Sequence, residues 1–168
     1  MEKKTITIVF LVFAFVFGLM FWGRSLQNNA LSDAKPVDGA KTALTVEGES
    51  FFDFGNISMK NGKVSTVFTV ANRTDKEIFL KSVTTSCMCT EAYLMGGKAE
   101  KGPFKMPGMG FVPLANETIL PGETRTIKTV FDPNAHGPAG VGPIERVVRL
   151  VEENGGSLEF GFKAKVTP

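Results

Sequence analysis

Histidine and cysteine, which build many catalytic and metal sites, are scarce in this sequence. The chain has one histidine, His136, and two cysteines, Cys87 and Cys89. A zinc site rich in histidine needs more than one histidine. A catalytic triad needs a nucleophile placed beside its histidine base. The sequence shows neither a pair of catalytic carboxylates nor a cofactor fingerprint. We therefore predict that the protein is not an enzyme.

An excess of charge of one sign is also lacking. The formal net charge is +2, and no cluster of Lys and Arg stands out after the first few residues. Nucleic-acid-binding surfaces carry a strongly basic patch, so we expect no nucleic-acid partner. No small-molecule substrate site is evident in the pattern either.

The N-terminus contains one long apolar run. It extends over residues 6–23, and as a helix it just spans a bilayer core of about 30 Å. Lys3 and Lys4 precede it and favour a cytoplasmic N-terminus. We predict that residues 1–26 are a single-pass membrane anchor and that the rest of the chain is extracytoplasmic at the cell membrane. The alternative is a cleaved signal peptide, and in both cases the remainder is exported.

The composition changes twice after this run. Residues 27–42 are small and polar without an apolar period, which predicts a flexible linker. Residues 43–168 consist of short apolar-alternating runs separated by turn residues. The last run is the clearest, because five apolar side chains alternate with polar residues or glycine: Leu158, Phe160, Phe162, Ala164 and Val166. This period of two is typical of half-buried strands.

These runs predict the fold class of residues 43–168. About seven short strands at regular spacing, with turns between them, indicate an all-β, immunoglobulin-like β-sandwich preceded by one N-terminal transmembrane helix. One stretch departs from the pattern. Residues 96–122 are rich in Gly and Pro and are predicted to be an irregular insertion longer than a normal sandwich connection.

Five short motifs together resemble a known bacterial family. They are, in chain order, residues 53–57 (DFGNI), 68–72 (FTVAN), 85–90 (TSCMCT), 120–123 (LPGE) and 131–133 (FDP). In this order they resemble the DUF1573 family, which is related to the ASPM/SPD-2/Hydin-type domains of the immunoglobulin-like class. The resemblance covers about residues 45–168. It implies an immunoglobulin-like fold and an exported, often anchored location, and no established activity.

The two cysteines form the motif with the most chemistry. On an extended strand, Cys87 and Cys89 would share one face with Cα atoms about 6.6 Å apart. That separation is at the upper limit for a disulfide, although a turn would shorten it. An exported location favours oxidation. A disulfide or redox-active pair, a pair of buried structural thiols and a pair of metal ligands all remain open.

Further soft donors accompany the thiols. Met106 and Met109 lie in the insertion, and His136 is the lone imidazole. Thiolate, thioether and imidazole together suit copper better than magnesium or calcium, so the metal hypothesis is a copper site made of Cys87, Cys89, Met106, Met109 and His136. The alternative is that the methionines pack the loop and that the histidine lies on the surface.

Function follows from these expectations as two hypotheses. The first is a membrane-tethered, non-catalytic binding or scaffolding module that contacts another envelope or surface protein through sheet edges and loops. The alternative is copper binding or thiol–disulfide chemistry through Cys87 and Cys89. Apart from copper, no cofactor is expected.

Overall fold

Residues 41–168 are described by the computed structural model, and their secondary structure is almost entirely β-strand. The ten strands are β1 (Leu44–Glu47), β2 (Phe51–Ser58), β3 (Val64–Asn72), β4 (Ile78–Thr85), β5 (Thr90–Met95), β6 (Lys101–Phe104), β7 (Glu117–Ile119), β8 (Thr124–Phe131), β9 (Gly142–Glu152) and β10 (Ser157–Thr167). Short 3-10 turns lie at Met59–Asn61 and Gly137–Gly140.

The strands form two sheets of five. The first sheet has the order β1-β3-β8-β5-β6, and the second has the order β2-β10-β9-β4-β7. Neighbouring strands are antiparallel except β2 and β10, which run parallel. Consecutive strands often change sheet, as β4 to β5 and β8 to β9 do, so several connections cross between the two layers.

One apolar core fills the space between the sheets. It takes side chains from both layers, because a sheet with one apolar face must cover that face. The first sheet contributes Phe68, Val70, Leu94 and Ile127, and the second contributes Leu80, Val148, Leu150 and Phe160. These contacts confirm a β-sandwich.

A smaller apolar cluster lies where β2, β8 and β10 end. Phe131 packs against Phe162 with ring centroids 5.4 Å apart, and Ile57 and Val166 are buried beside them. Cys89 belongs to the same cluster. One of the two thiols is therefore part of the apolar packing of the domain.

The predicted strand count was wrong, because the described residues contain ten strands rather than about seven. The alternating run named from the sequence, Leu158 to Val166, lies in β10, which buries Phe160, Phe162, Ala164 and Val166. The additional strands β6 and β7 lie within residues 96–122, which were expected to be irregular. They were missed because β6 contains Gly and Pro, and β7 is too short to show a period.

The predicted membrane anchor, residues 1–26, lies outside the described residues, as does most of the linker predicted for residues 27–42. Within residues 41–168, no helix is long and apolar enough to cross a membrane.

A buried carboxylate holds the first described residues against the hairpin of β9 and β10. Glu152 is 2% exposed, and its Oε1 accepts hydrogen bonds from Thr42 Oγ1 at 2.6 Å, from the Ala43 N–H at 2.9 Å and from the Leu44 N–H at 3.1 Å. The carboxylate therefore satisfies backbone donors that burial removes from water.

Replacing this carboxylate should destabilise the domain. We expect Glu152→Ala to lower the free energy of unfolding by about 2–3 kcal/mol, since the Ala43 and Leu44 N–H groups lose their acceptor. Denaturant unfolding followed by far-ultraviolet circular dichroism measures the change. Glu153→Ala is the matched control, because Glu153 is exposed and should change stability little. Equal effects of the two substitutions would contradict the assignment.

Candidate functional site

The two cysteines lie on the turn between β4 and β5. The Thr90 N–H donates to the Cys87 carbonyl at 3.1 Å and closes this turn. The buried Thr85 hydroxyl lies within 3.1 Å of both the Cys87 and the Thr90 carbonyls. Cys87 and Cys89 are thus held on a tight turn, and not on one face of an extended strand.

Backbone contacts to both sheets fix the position of this turn. The Asp132 N–H, just after β8, donates to the Cys89 carbonyl at 2.9 Å. On the other side, the Ser86 N–H donates to the Val147 carbonyl, and the Val147 N–H donates to Ser86 Oγ, each at 2.9 Å. The thiols are therefore positioned by β8 of the first sheet and β9 of the second.

His136 reaches the site from the connection between β8 and β9. Its Nε2 lies 3.1 Å from Cys87 Sγ. The loop that carries it is anchored by Asn134, whose side-chain amide donates to the Met59 carbonyl and whose own carbonyl accepts from the Gly137 N–H, each at 2.9 Å. Thiol and imidazole meet although they are 49 positions apart in the sequence.

Arg146 is a member of the site that sequence reasoning missed. It lies on β9, and its Nε donates to Cys89 Sγ at 3.2 Å, while Nη1 donates to the Glu145 carbonyl at 2.7 Å. An arginine within a strand of alternating residues is an ordinary solvent-facing residue by pattern. No signal in the sequence links it to a cysteine that is 57 positions away.

The environment of the two thiols gives them different pKa values. Burial raises the pKa of the Cys87 thiol, but hydrogen bonds from Cys89 and His136, together with the charge of Arg146, outweigh burial and lower this pKa from 9.0 to about 7. Burial and the hydrogen bond to Cys87 raise the pKa of the Cys89 thiol, against the opposing effect of Arg146. Cys87 is therefore the readier thiolate of the pair.

The same residues form a group that can hold a metal ion. The Sγ atoms of Cys87 and Cys89 and a ring nitrogen of His136 all lie within 4.8 Å of one another. Two donors bound to one ion at about 2.3 Å lie at most about 4.6 Å apart, so small shifts bring the three atoms around an ion. Cys89 is buried, Cys87 is partly buried and His136 is exposed, which leaves the group open to solvent on the histidine side.

The methionines proposed as ligands lie on a different connection of the fold from the cysteines and the histidine. Met106 and Met109 are in the connection between β6 and β7, where the Met109 N–H donates to the Met106 carbonyl. Met109 is 50% exposed. Neither methionine is among the described side chains that pack in the apolar cluster containing the two cysteines. Their part in a metal site stays a prediction.

The fold and the site define an all-β sandwich domain in which two inter-sheet connections bring a thiol–imidazole group together. Residues 44–103 match the family described as "Protein of unknown function (DUF1573)", which confirms the resemblance read from the motifs. The match includes Cys87 and Cys89 but not His136 or Arg146, and it ends earlier than the expected limit at residue 168. A comparison with curated proteins finds no match.

Solved structures share the fold at low identity. A protein of unknown function from Porphyromonas gingivalis W83 superposes with a TM-score of 0.52 at 16% identity, covering 79% of this chain and 51% of that one. A family 123 glycoside hydrolase from Clostridium perfringens gives a TM-score of 0.50 at 8% identity, covering 74% of this chain and 27% of that one. The chain thus spans about half of the first protein and about a quarter of the second, and the likeness concerns the fold alone.

Cys87 should react as a thiolate near neutral pH. In the metal-free chain, we expect its alkylation rate with iodoacetamide to rise with pH around a midpoint of about 7, because only the deprotonated sulfur is nucleophilic. In Arg146→Gln, the midpoint should move upward toward the ordinary thiol value of 9.0. Mass spectrometry of the labelled peptide measures the rate.

Arg149→Gln is the matched control for this measurement. Arg149 is also on β9, but it is exposed and pairs with Glu159, so its loss should leave the midpoint in place. A wild-type midpoint near that of free cysteine would contradict the assigned environment, as would equal shifts in the two arginine variants.

Proposed function

We propose that this domain is a non-catalytic binding module that holds a soft metal ion, Cu(I), at its β4–β5 turn. The observation that carries the proposal is the convergence of Cys87 Sγ, Cys89 Sγ and a His136 nitrogen within 4.8 Å. Thiolates are the ligands that soft ions select, and imidazole suits copper as well. The lowered pKa of Cys87, about 7, makes deprotonation on metal binding easier.

The number of donors favours copper over a structural zinc ion. Structural zinc sites are almost always closed by four protein ligands, whereas this group offers three. Copper(I) accepts fewer ligands than zinc, and sulfur ligands stabilise the reduced ion. The site is partly exposed and has one surface histidine. Such a site suits an ion that is taken up and passed on better than it suits a buried structural ion.

The location we propose is the outer side of a membrane. The support is the apolar run at residues 6–23 with Lys3 and Lys4 before it, which favours a single-pass anchor with a cytoplasmic N-terminus. The domain would then be an immunoglobulin-like sandwich displayed on a linker. Its expected partner is another envelope or surface protein that binds the domain through sheet edges or loops.

A second candidate function is thiol–disulfide exchange. The specific observation that favours it is the difference between the two thiols, since the pKa of Cys87 is lowered and that of Cys89 is raised. A thiolate beside a second thiol is the arrangement from which exchange proceeds. Measuring the reduction potential of the Cys87–Cys89 pair tests this function. A pair that never forms an internal disulfide cannot perform thiol–disulfide exchange.

Copper binding should depend on the two thiols together. We expect the reduced wild-type chain to bind about one Cu(I) in anaerobic competition with bicinchoninate, as one two-thiolate group predicts. The double variant Cys87→Ser/Cys89→Ser should lose this binding, and His136→Ala should weaken it.

Variants of the methionines complete the copper experiment. Met106→Leu/Met109→Leu preserves side-chain volume and tests the two loop methionines directly, because a loss of affinity would add them to the ligand set. Met88→Leu serves as the matched control, since Met88 lies between the cysteines and is 45% exposed. Unchanged copper stoichiometry in the double cysteine variant would sink the proposal.

Membrane topology can be tested separately from metal binding. We expect alkaline phosphatase fused after Pro168 to be active in a bacterial host, since the enzyme folds only outside the reducing cytoplasm. Deletion of residues 1–26 should abolish this activity. An inactive fusion of the complete chain, at normal expression, would contradict the proposed orientation.

A further inference from the structure

In the part of the chain that the structure describes, no carboxylate pairs with the Arg146 guanidinium, which contacts the Cys89 sulfur. Within residues 41–168, Arg125 pairs with Glu117 and Arg149 pairs with Glu159, whereas the recorded partners of the Arg146 guanidinium are Cys89 Sγ and the Glu145 carbonyl. A guanidinium is always charged. A fixed positive charge therefore lies in contact with one of the two thiols.

The apolar surroundings of Cys89 make the stability of a bound metal depend on the net charge of the site. Cys89 is 2% exposed and packs in the apolar cluster with Phe131 and Phe162. An uncompensated charge near such a cluster is costly, because a medium of low polarity solvates it poorly. A bound metal with its ligands is therefore most stable when its charge and that of Arg146 cancel.

A monovalent and a divalent ion give the site different net charges. Two thiolates and Cu(I) with a neutral imidazole carry one net negative charge, which the guanidinium of Arg146 cancels. Two thiolates and Zn(II) are already neutral, so Arg146 leaves one net positive charge beside the buried sulfur. Coulomb interactions over a few ångströms are strong at partly buried sites, and this difference acts directly on the preference between the two ions.

We propose that Arg146 is the specificity-determining residue of the metal site, selecting a monovalent soft ion over zinc through its charge beside Cys89. The inference rests on the proposed function and adds a residue outside the ligand set. The Nε–H hydrogen bond also orients Cys89 Sγ, as outer hydrogen bonds orient metal ligands in general. If Arg146 only oriented Cys89, its loss would lower the affinities for Cu(I) and Zn(II) alike. If its charge matters, its loss should change the two affinities in opposite directions.

The test compares Cu(I) and Zn(II) affinities of the full-length chain in wild type and Arg146→Gln. Cu(I) is measured by anaerobic competition with bicinchoninate, and Zn(II) by competition with a chromogenic chelator. We expect the variant to bind Cu(I) about 10- to 100-fold more weakly and Zn(II) as well as or better than wild type. Arg146→Lys keeps the charge and should keep most of the preference for Cu(I).

Each outcome decides between distinct explanations. Equal weakening of both ions in Arg146→Gln, or the same loss of preference in Arg146→Lys, would overturn the inference and leave Arg146 a structural support of Cys89. A wild-type chain that binds no Cu(I) would overturn the proposed function itself. Arg149→Gln is the control for loss of an arginine on β9. Arg146→Met replaces the glutamine variant if that variant lacks the wild-type circular dichroism spectrum.

Discussion

Two sheets that must cover each other's apolar faces impose the geometry on which the site depends. Because the layers are separate, the chain has to cross between them at the ends of strands. The β4–β5 turn and the β8–β9 connection are two such crossings. They meet at one place, since Thr90 at the start of β5 is opposite Phe131 at the end of β8. The first crossing carries Cys87 and Cys89, and the second carries His136, so packing of the sandwich assembles the group.

The site balances burial against hydrogen bonding and charge. Burial alone raises the pKa of each thiol, because an apolar environment disfavours a thiolate. Hydrogen bonds from Cys89 and then from His136 oppose the effect of burial on the Cys87 pKa. Arg146 opposes it mainly at Cys89. The outcome is unequal for the two sulfurs, which stand two positions apart in the sequence. This asymmetry is compatible with a metal site and with redox chemistry, and the metal proposal is favoured by the third donor.

The sequence predicted those strands in which apolar and polar residues alternate, because the alternation shows which side chains face the core. β10 shows this well, since burial of Phe160, Phe162, Ala164 and Val166 follows the alternation seen in the chain. The strands β6 and β7 could not be predicted in this way. Short strands that contain Gly and Pro, or that have only three residues, have no readable period, and their pairing partners, not their own residues, make them strands.

The sequence by itself determined that residues 43–168 outside the 96–122 insertion form mainly alternating strands, that the two cysteines are close neighbours, and that the chain has a single imidazole. Each of these facts is local. Only the tertiary structure decided that the cysteines occupy a turn, that His136 reaches Cys87 and that Arg146 contacts Cys89. The physical reason is that these contacts join residues 49 and 57 positions apart, and strand pairing and sheet packing set such distances without leaving a pattern in the sequence.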